Sequence, residues 1–294
     1  METNEFNKKQ VIIYLLFAFA LGWAIQVGVY FLTKGGSTIL PTIIMALMMF
    51  VPLLGVLIAR RSLSGMGWKP KAKKFILPAL IAWFAPIIVT AIGAVIYFLI
   101  FPSQFDVSGA NADPLIIDAL NQAGIPYAIY LVISVISTIT YAPVINTVVG
   151  LGEEVGWRGF LYPQLKYKFG KKLGWIIGGC IWGAWHWPLI WLTGYEYGTE
   201  YFGYPVVGML VFLLFTVSLG IICDFMYEKS ECIWIPALLH GSINAATTVP
   251  VLFAAAGVSS NMILGPLPNG LIAGIPLFAI AVVLFIKSQQ GSKE

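Results

Sequence analysis

Apolar runs long enough to cross a bilayer recur along this chain of 294 residues, and they leave few folds open. A helix of about twenty apolar residues spans a hydrocarbon layer of about 30 Å. In lipid, every backbone N–H and C=O must also find its partner inside the protein, which favours helices. Segments 11–32, 39–59, 75–101, 127–150, 173–192, 206–227, 235–255 and 270–286 fit that description. Charged residues make up only 10% of the chain, against about 25% in soluble domains. The pattern predicts an all-α polytopic membrane helix bundle of about eight transmembrane helices, read as a single transmembrane bundle over 1–294. A cleaved signal peptide would carry an apolar core of about 7–15 residues. Segment 11–32 is longer and lacks a small-residue cleavage site, so it reads as a retained helix.

The basic residues are sorted between loops. Of the 17 Lys and Arg, Lys34 alone falls in an odd-numbered connection. The rest lie in the even-numbered connections and the two tails, the bias that marks the cytoplasmic side. Both termini are therefore expected in the cytoplasm. With its charge distributed this way, the net +4 is a topology signal; nucleic acid is not an expected partner. Cys180, Cys223 and Cys232 show no paired spacing, and neither a disulfide framework nor a Cys-based metal site is indicated. Residues 114–122 fit a short surface helix, and Tyr195, Tyr197, Tyr201 and Tyr204 fit an interfacial aromatic belt.

Charge inside an apolar helix is costly and tends to be functional. Glu153 and Glu154 follow the fourth apolar segment, with Arg158 four residues beyond Glu154. On a helix, Glu154 and Arg158 are neighbours in the favourable acid-first order. Glu153 lies about 100° further round. One carboxylate is thus expected to be held by the arginine, leaving the other free.

The chain has two histidines, and both fall in apolar segments. His186 follows Trp182 by one helical turn, and Pro188 just beyond is expected to distort the helix. His240 shares a helix face with Asn244, beside the small residues Gly241 and Ser242. Such a set supports two chemistries. A glutamate and a histidine activate a water as base and proton acceptor, while a second histidine and an asparagine amide bind the oxyanion. Alternatively, Glu153, His186 and His240 form a His₂Glu set for one divalent metal ion, zinc, with a fourth position for water. Buried Glu and His also serve as relays in transporters, and in a non-catalytic immunity or scaffold protein the same residues would serve only helix packing. The His-Glu-x-x-His, Gly-x-Ser-Gly and Gly-x-Gly-Asp signatures of other intramembrane proteases are absent from the chain.

Glu-Glu-x-x-x-Arg (Glu153, Glu154, Arg158), aromatic-x-x-x-His (Trp182, His186) and His-x-x-x-Asn (His240, Asn244), in that order and in separate helices, resemble the CPBP family. That is the CAAX protease and bacteriocin-processing family, which includes type II CAAX prenyl endopeptidases and abortive-infection-type membrane proteins. The resemblance covers 133–251, the expected catalytic core, and departs from the family at Trp182, where Phe is usual. It implies an intramembrane endopeptidase of metallo or glutamate type. Glu153 would be the base, with His186 activating the same water. Glu154, Arg158 and Trp182 would be supports, and His240 and Asn244 would bind the oxyanion. The implied substrate is a membrane-anchored or lipidated peptide or protein, cut near the cytoplasmic face. Short loops point to a prokaryotic plasma membrane. At 1.5 Å per residue, His186 is too deep for such a site unless the fifth helix begins outside the membrane, which is the expectation here.

Overall fold

The computed structural model describes residues 5–36, 39–109, 114–255 and 262–288. Its regular elements are helices: α1 (Lys8–Lys34), α2 (Ile39–Met48), α3 (Val51–Arg60), α4 (Ala72–Ile100), α5 (Pro114–Ala123), α6 (Tyr127–Ile139), α7 (Ala142–Gly156), α8 (Tyr162–Phe169), α9 (Lys171–Trp185), α10 (Trp187–Thr193), α11 (Val206–Ser230), α12 (Trp234–Thr247) and α13 (Ile275–Lys287). A π-helical turn, Trp157–Leu161, joins α7 to α8. The all-helical expectation holds, and α5 is the short helix read at 114–122. The outermost residues, 1–4 and 289–294, lie outside the described set, including Lys293 of the C-terminal tail.

Among the described residues, five stretches are long and apolar enough to cross a membrane: Lys8–Lys34, Ile39–Arg60, Ala72–Ile100, Val206–Ser230 and Trp234–Phe253. A sixth is added if Ile116–Ala123 and Tyr127–Ile139, bent by 110°, count as one. Three of the eight expected segments are not among these stretches, and a fourth, 39–59, is itself divided into α2 and α3 ahead of Pro52. Segment 127–150 divides into α6 and α7, with Pro143 in the first turn of α7. Segment 173–192 divides at His186, ahead of Pro188 in the first turn of α10. Segment 270–286 becomes α-helical only at Ile275, with Pro276 next. At Pro143 and Pro188 the proline lacks the N–H that the preceding helix would need and clashes with a carbonyl one turn back, whereas Pro276 sits in the first turn of a helix that follows a turn.

The outside of the molecule is apolar, and several polar side chains are buried within its hydrophobic core. Leu16, Phe31, Leu77 and Leu99 are exposed, whereas Gln26, Glu153, Glu154, Arg158 and His240 are buried. Hydrocarbon is the solvent that makes this arrangement stable, because exposed leucines cost nothing there and polar groups must pair inside.

Small residues let the central helices approach. A Cβ on Gly241 of α12 would sit 2.4 Å from the Thr147 backbone N of α7. Gly183 of α9 faces Thr216 of α11 as closely, and the Thr216 hydroxyl donates to the Gly179 carbonyl at 3.0 Å. Helices in lipid associate through such close contacts, since lipid is as apolar as leucine. The break at His186 is supported from α1. Gln26 Nε2 donates to the Trp185 carbonyl at 2.7 Å, and its Oε1 accepts from the Leu189 N–H at 3.3 Å. One buried amide thus satisfies both sides of the interruption that presents His186.

Candidate active site

Glu153 and Glu154 occupy the last turn of α7, just before the π-helical turn. Widened turns of this kind insert one residue into a helix and are frequent at functional sites. Glu153 is 2% exposed and Glu154 and Arg158 are fully buried. The expected pair is present: Arg158 Nη1 donates to Glu154 Oε1 at 2.8 Å. The guanidinium also lies between two aromatic faces, with Cζ 4.3 Å from the Trp182 ring centroid and 4.8 Å from that of Tyr162.

Glu154 does more than hold the arginine. The same Oε1 stands 2.8 Å from His240 Nδ1. A carboxylate oxygen accepts, so Nδ1 carries the proton and Nε2 is the ring's other functional atom. This bond ties α7 to α12 directly. Asn244 lies one turn on along α12, partly buried.

Glu153 has different partners. Its Oε2 accepts from Trp182 Nε1 at 2.6 Å and from Trp157 Nε1 at 3.0 Å. His186, at the α9–α10 break, directs Nδ1 to the Trp182 carbonyl at 3.0 Å. The carbonyl accepts, so Nδ1 donates and Nε2 is the ring's other functional atom. Glu153 and His240 are the charged and titratable neighbours that act on His186. The Trp182 ring meets the His240 ring edge-on, with centroids 5.3 Å apart. Trp182 therefore touches or bonds Glu153, Arg158, His186 and His240, which makes it the centre of the cluster. Six of the seven residues singled out in the sequence are linked in this way, on α7, the π turn, α9, the α9–α10 break and α12; Asn244 lies one turn along α12 from His240. Trp157 is an addition, and its signal was available: it follows Glu153 by four residues, the spacing that pairs Glu154 with Arg158.

The metal set behaves otherwise. Among the described residues, no group of three or more His, Cys, Asp or Glu side chains is arranged to hold a metal ion. Glu153 Oε2 accepts from two indoles and each imidazole is bonded through Nδ1, so Glu153 Oε1 and the two Nε2 atoms are the groups with which these residues would hold a metal ion.

The loop 194–205 roofs His186. Tyr195 stacks on the imidazole with planes 9° apart, and Phe212 meets it edge-on at 5.0 Å. Two of the four expected belt tyrosines therefore turn inward. Tyr197 is 3% exposed and donates to the Asn269 carbonyl at 3.0 Å. A pair of aromatics two residues apart that fill a core is indistinguishable by composition from a belt at an interface. Glu196 accepts from Asn269 Nδ2 at 2.6 Å. Burial pushes the Glu196 carboxyl above the usual carboxylate range, against the hydrogen bonds from Tyr195 and Asn269.

Below the cluster, Asp224 is fully buried and accepts from Trp175 Nε1 and Lys166 Nζ, each at 2.6 Å. Burial would lower the Lys166 ammonium, but Asp224 and then Glu228 outweigh it and raise it above the ordinary lysine value.

A family model described as type II CAAX prenyl endopeptidase Rce1-like matches residues 135–246, the segment that contains every residue of the cluster. Over 93 residues the chain is 33% identical to the CAAX prenyl protease 2 of Methanococcus maripaludis. That stretch is 31% of this chain and 34% of the relative, so the match spans about a third of the curated protein's length. The three motifs gathered around one pair of carboxylates thus lie in a segment that is similar to the type II CAAX prenyl endopeptidases.

Proposed function

We propose that the chain is an intramembrane endopeptidase that hydrolyses a peptide bond of a membrane-anchored substrate near the cytoplasmic face of a prokaryotic plasma membrane. The observation that carries this reading is the division of labour between adjacent carboxylates. Glu154 is spent on Arg158 and His240, while Glu153 is held by neutral donors and shares its surroundings with His186. In the reading, Glu153, through Oε1, takes a proton from a water that His186 Nε2 orients. The hydroxide attacks the scissile carbonyl carbon, and its oxygen becomes an oxyanion. The Asn244 amide donates to that oxyanion, and His240, oriented through Nδ1 by Glu154, turns Nε2 toward the same reacting group. Collapse of the tetrahedral intermediate breaks the C–N bond, and the proton held by Glu153 passes to the leaving amine.

This reading routes no step through a metal; Glu153, His186 and His240 are the residues that would hold one. The substrate class is suggested by the name of the archaeal relative, a CAAX prenyl protease. The test uses purified protein in liposomes with farnesylated and unmodified peptides ending in Cys-aliphatic-aliphatic-X, together with a membrane-peptide library. Wild type is expected to cleave, and Glu153→Ala and His240→Ala to lose about 10²–10⁴-fold in rate while remaining folded. Cleavage by folded wild type of none of these substrates contradicts the reading and returns the buried polar residues to a transport or scaffold role. Activity that survives chelation, with metal far below one equivalent by elemental analysis, is expected; its loss on chelation and return with zinc would overturn the metal-free mechanism.

A further inference from the structure

We propose that Trp157 and Trp182 act as an indole clamp: positioning residues whose two N–H groups fix Glu153 through one oxygen and keep the other for the reacting water. The inference rests on the peptidase reading for its consequence, but the clamp itself is geometric.

Two facts distinguish Glu153 from its neighbour. Both indole N–H groups converge on Oε2, at 2.6 Å from Trp182 and 3.0 Å from Trp157. The nearest guanidinium contact, Arg158 Nη1, goes to Glu154 instead. An indole is a donor only and does not titrate. Two of them stabilise a buried anion without bringing a positive charge that would cancel it, which suits a base better than an ion pair does. Glu154, by contrast, faces a full cation and an imidazole. Adjacent residues of the same type are in this way assigned different work.

The clamp is rigid. Trp157 is fully buried and Trp182 is 3% exposed. Trp157 is packed edge-on by Tyr14 at 5.9 Å and by Trp185 at 6.0 Å. It stands at the start of the π-helical turn, one turn after Glu153. Trp182 is fixed from the other side by Arg158 under its face and His240 at its edge. Its backbone carbonyl takes the His186 Nδ1 proton. One residue thereby sets both the carboxylate and the imidazole that flank the water. Phenylalanine at 182 would keep the ring contacts with Arg158 and His240 and lose only the N–H, so Trp182→Phe isolates the hydrogen bond.

The experiment has two arms on full-length protein in detergent or nanodiscs. In the first, [15N-indole]tryptophan labelling is read by NMR, with Trp157→Phe and Trp182→Phe assigning the two signals. Both are expected downfield in wild type and are expected to move upfield in Glu153→Ala. Signals that do not respond to Glu153→Ala overturn the clamp. In the second, the pH profile of cleavage is followed for the peptide that wild type cuts. Trp182→Phe is expected to lower kcat about ten- to a hundredfold, leave KM nearly unchanged and move the acid limb to higher pH. A loss equal at every pH, or one shared between kcat and KM, marks a merely structural tryptophan and overturns the positioning role. If wild type cleaves nothing, the peptidase reading fails and the indole signals alone decide the clamp.

Discussion

Arg158 shows how much depends on one buried side chain. It pairs with Glu154, lies between Trp182 and Tyr162, and is fully enclosed. Removing one partner of a buried pair leaves an uncompensated charge and costs about 3–5 kcal/mol. Arg158→Met is expected to lower thermal stability by that order, read by scanning calorimetry in detergent. Arg158→Lys should fall between, since an ammonium keeps the charge but loses the flat stacking on two rings. A Met variant as stable as wild type would show that the pair contributes nothing. The Glu154–Arg158 contact was legible from spacing alone, because helix geometry makes i and i+4 meet. The Glu154–His240 bond was not, because its partners are 86 residues apart. The sequence names both residues as polar groups in need of partners, but only the fold decides which partner each receives. Trp157 lies between these cases: its spacing was visible, and its apolar type concealed the one N–H that matters.

At the scale of elements, the interruptions carry the function. The α9–α10 break places His186 where its backbone neighbours are satisfied by Gln26 of α1. Pro188 made the distortion legible, but Gln26, alone in an apolar helix, needed the fold to explain it. The roof over His186 is the second such element. It is anchored by Asn269 to Glu196, whose carboxyl is raised above its ordinary value by burial. A carboxyl raised in the folded state favours the neutral form. Its stabilising contribution is full below the unfolded value of about 4.5 and is lost as pH rises through the raised folded value. The melting temperature of wild type is therefore expected to contain a component that declines with rising pH over that window, and Glu196→Gln should flatten it. An unchanged pH dependence in Glu196→Gln would place the source elsewhere.

For the whole molecule, the lipid-facing apolar surface was the most legible property, because hydropathy and length report it directly. Continuity was the least legible: hydropathy cannot distinguish an unbroken span from two short helices around a proline, and segments 39–59, 127–150 and 173–192 are of the second kind. What holds the broken pieces in register is close helix approach, above all between α7 and α12, the helices joined by Glu154 and His240. Gly241 is the narrowest point. A Cβ there would stand 2.4 Å from Thr147 N and 2.8 Å from Asn146 C and Pro143 O, all backbone atoms that cannot swing aside. Gly241→Ala must therefore separate the two helices or bend one of them, at a cost of about 1–3 kcal/mol. The same displacement lengthens the His240–Glu154 contact, so activity should fall further than stability. Gly28 supplies the control: it is exposed on α1, and a Cβ there meets nothing within 4 Å. Gly28→Ala should gain about 0.5–1 kcal/mol from reduced backbone freedom and leave cleavage unchanged. Parallel melting curves and cleavage rates for the two alanine variants decide the matter: if Gly241→Ala matches Gly28→Ala in both, helix approach at this point does not set the geometry of the site.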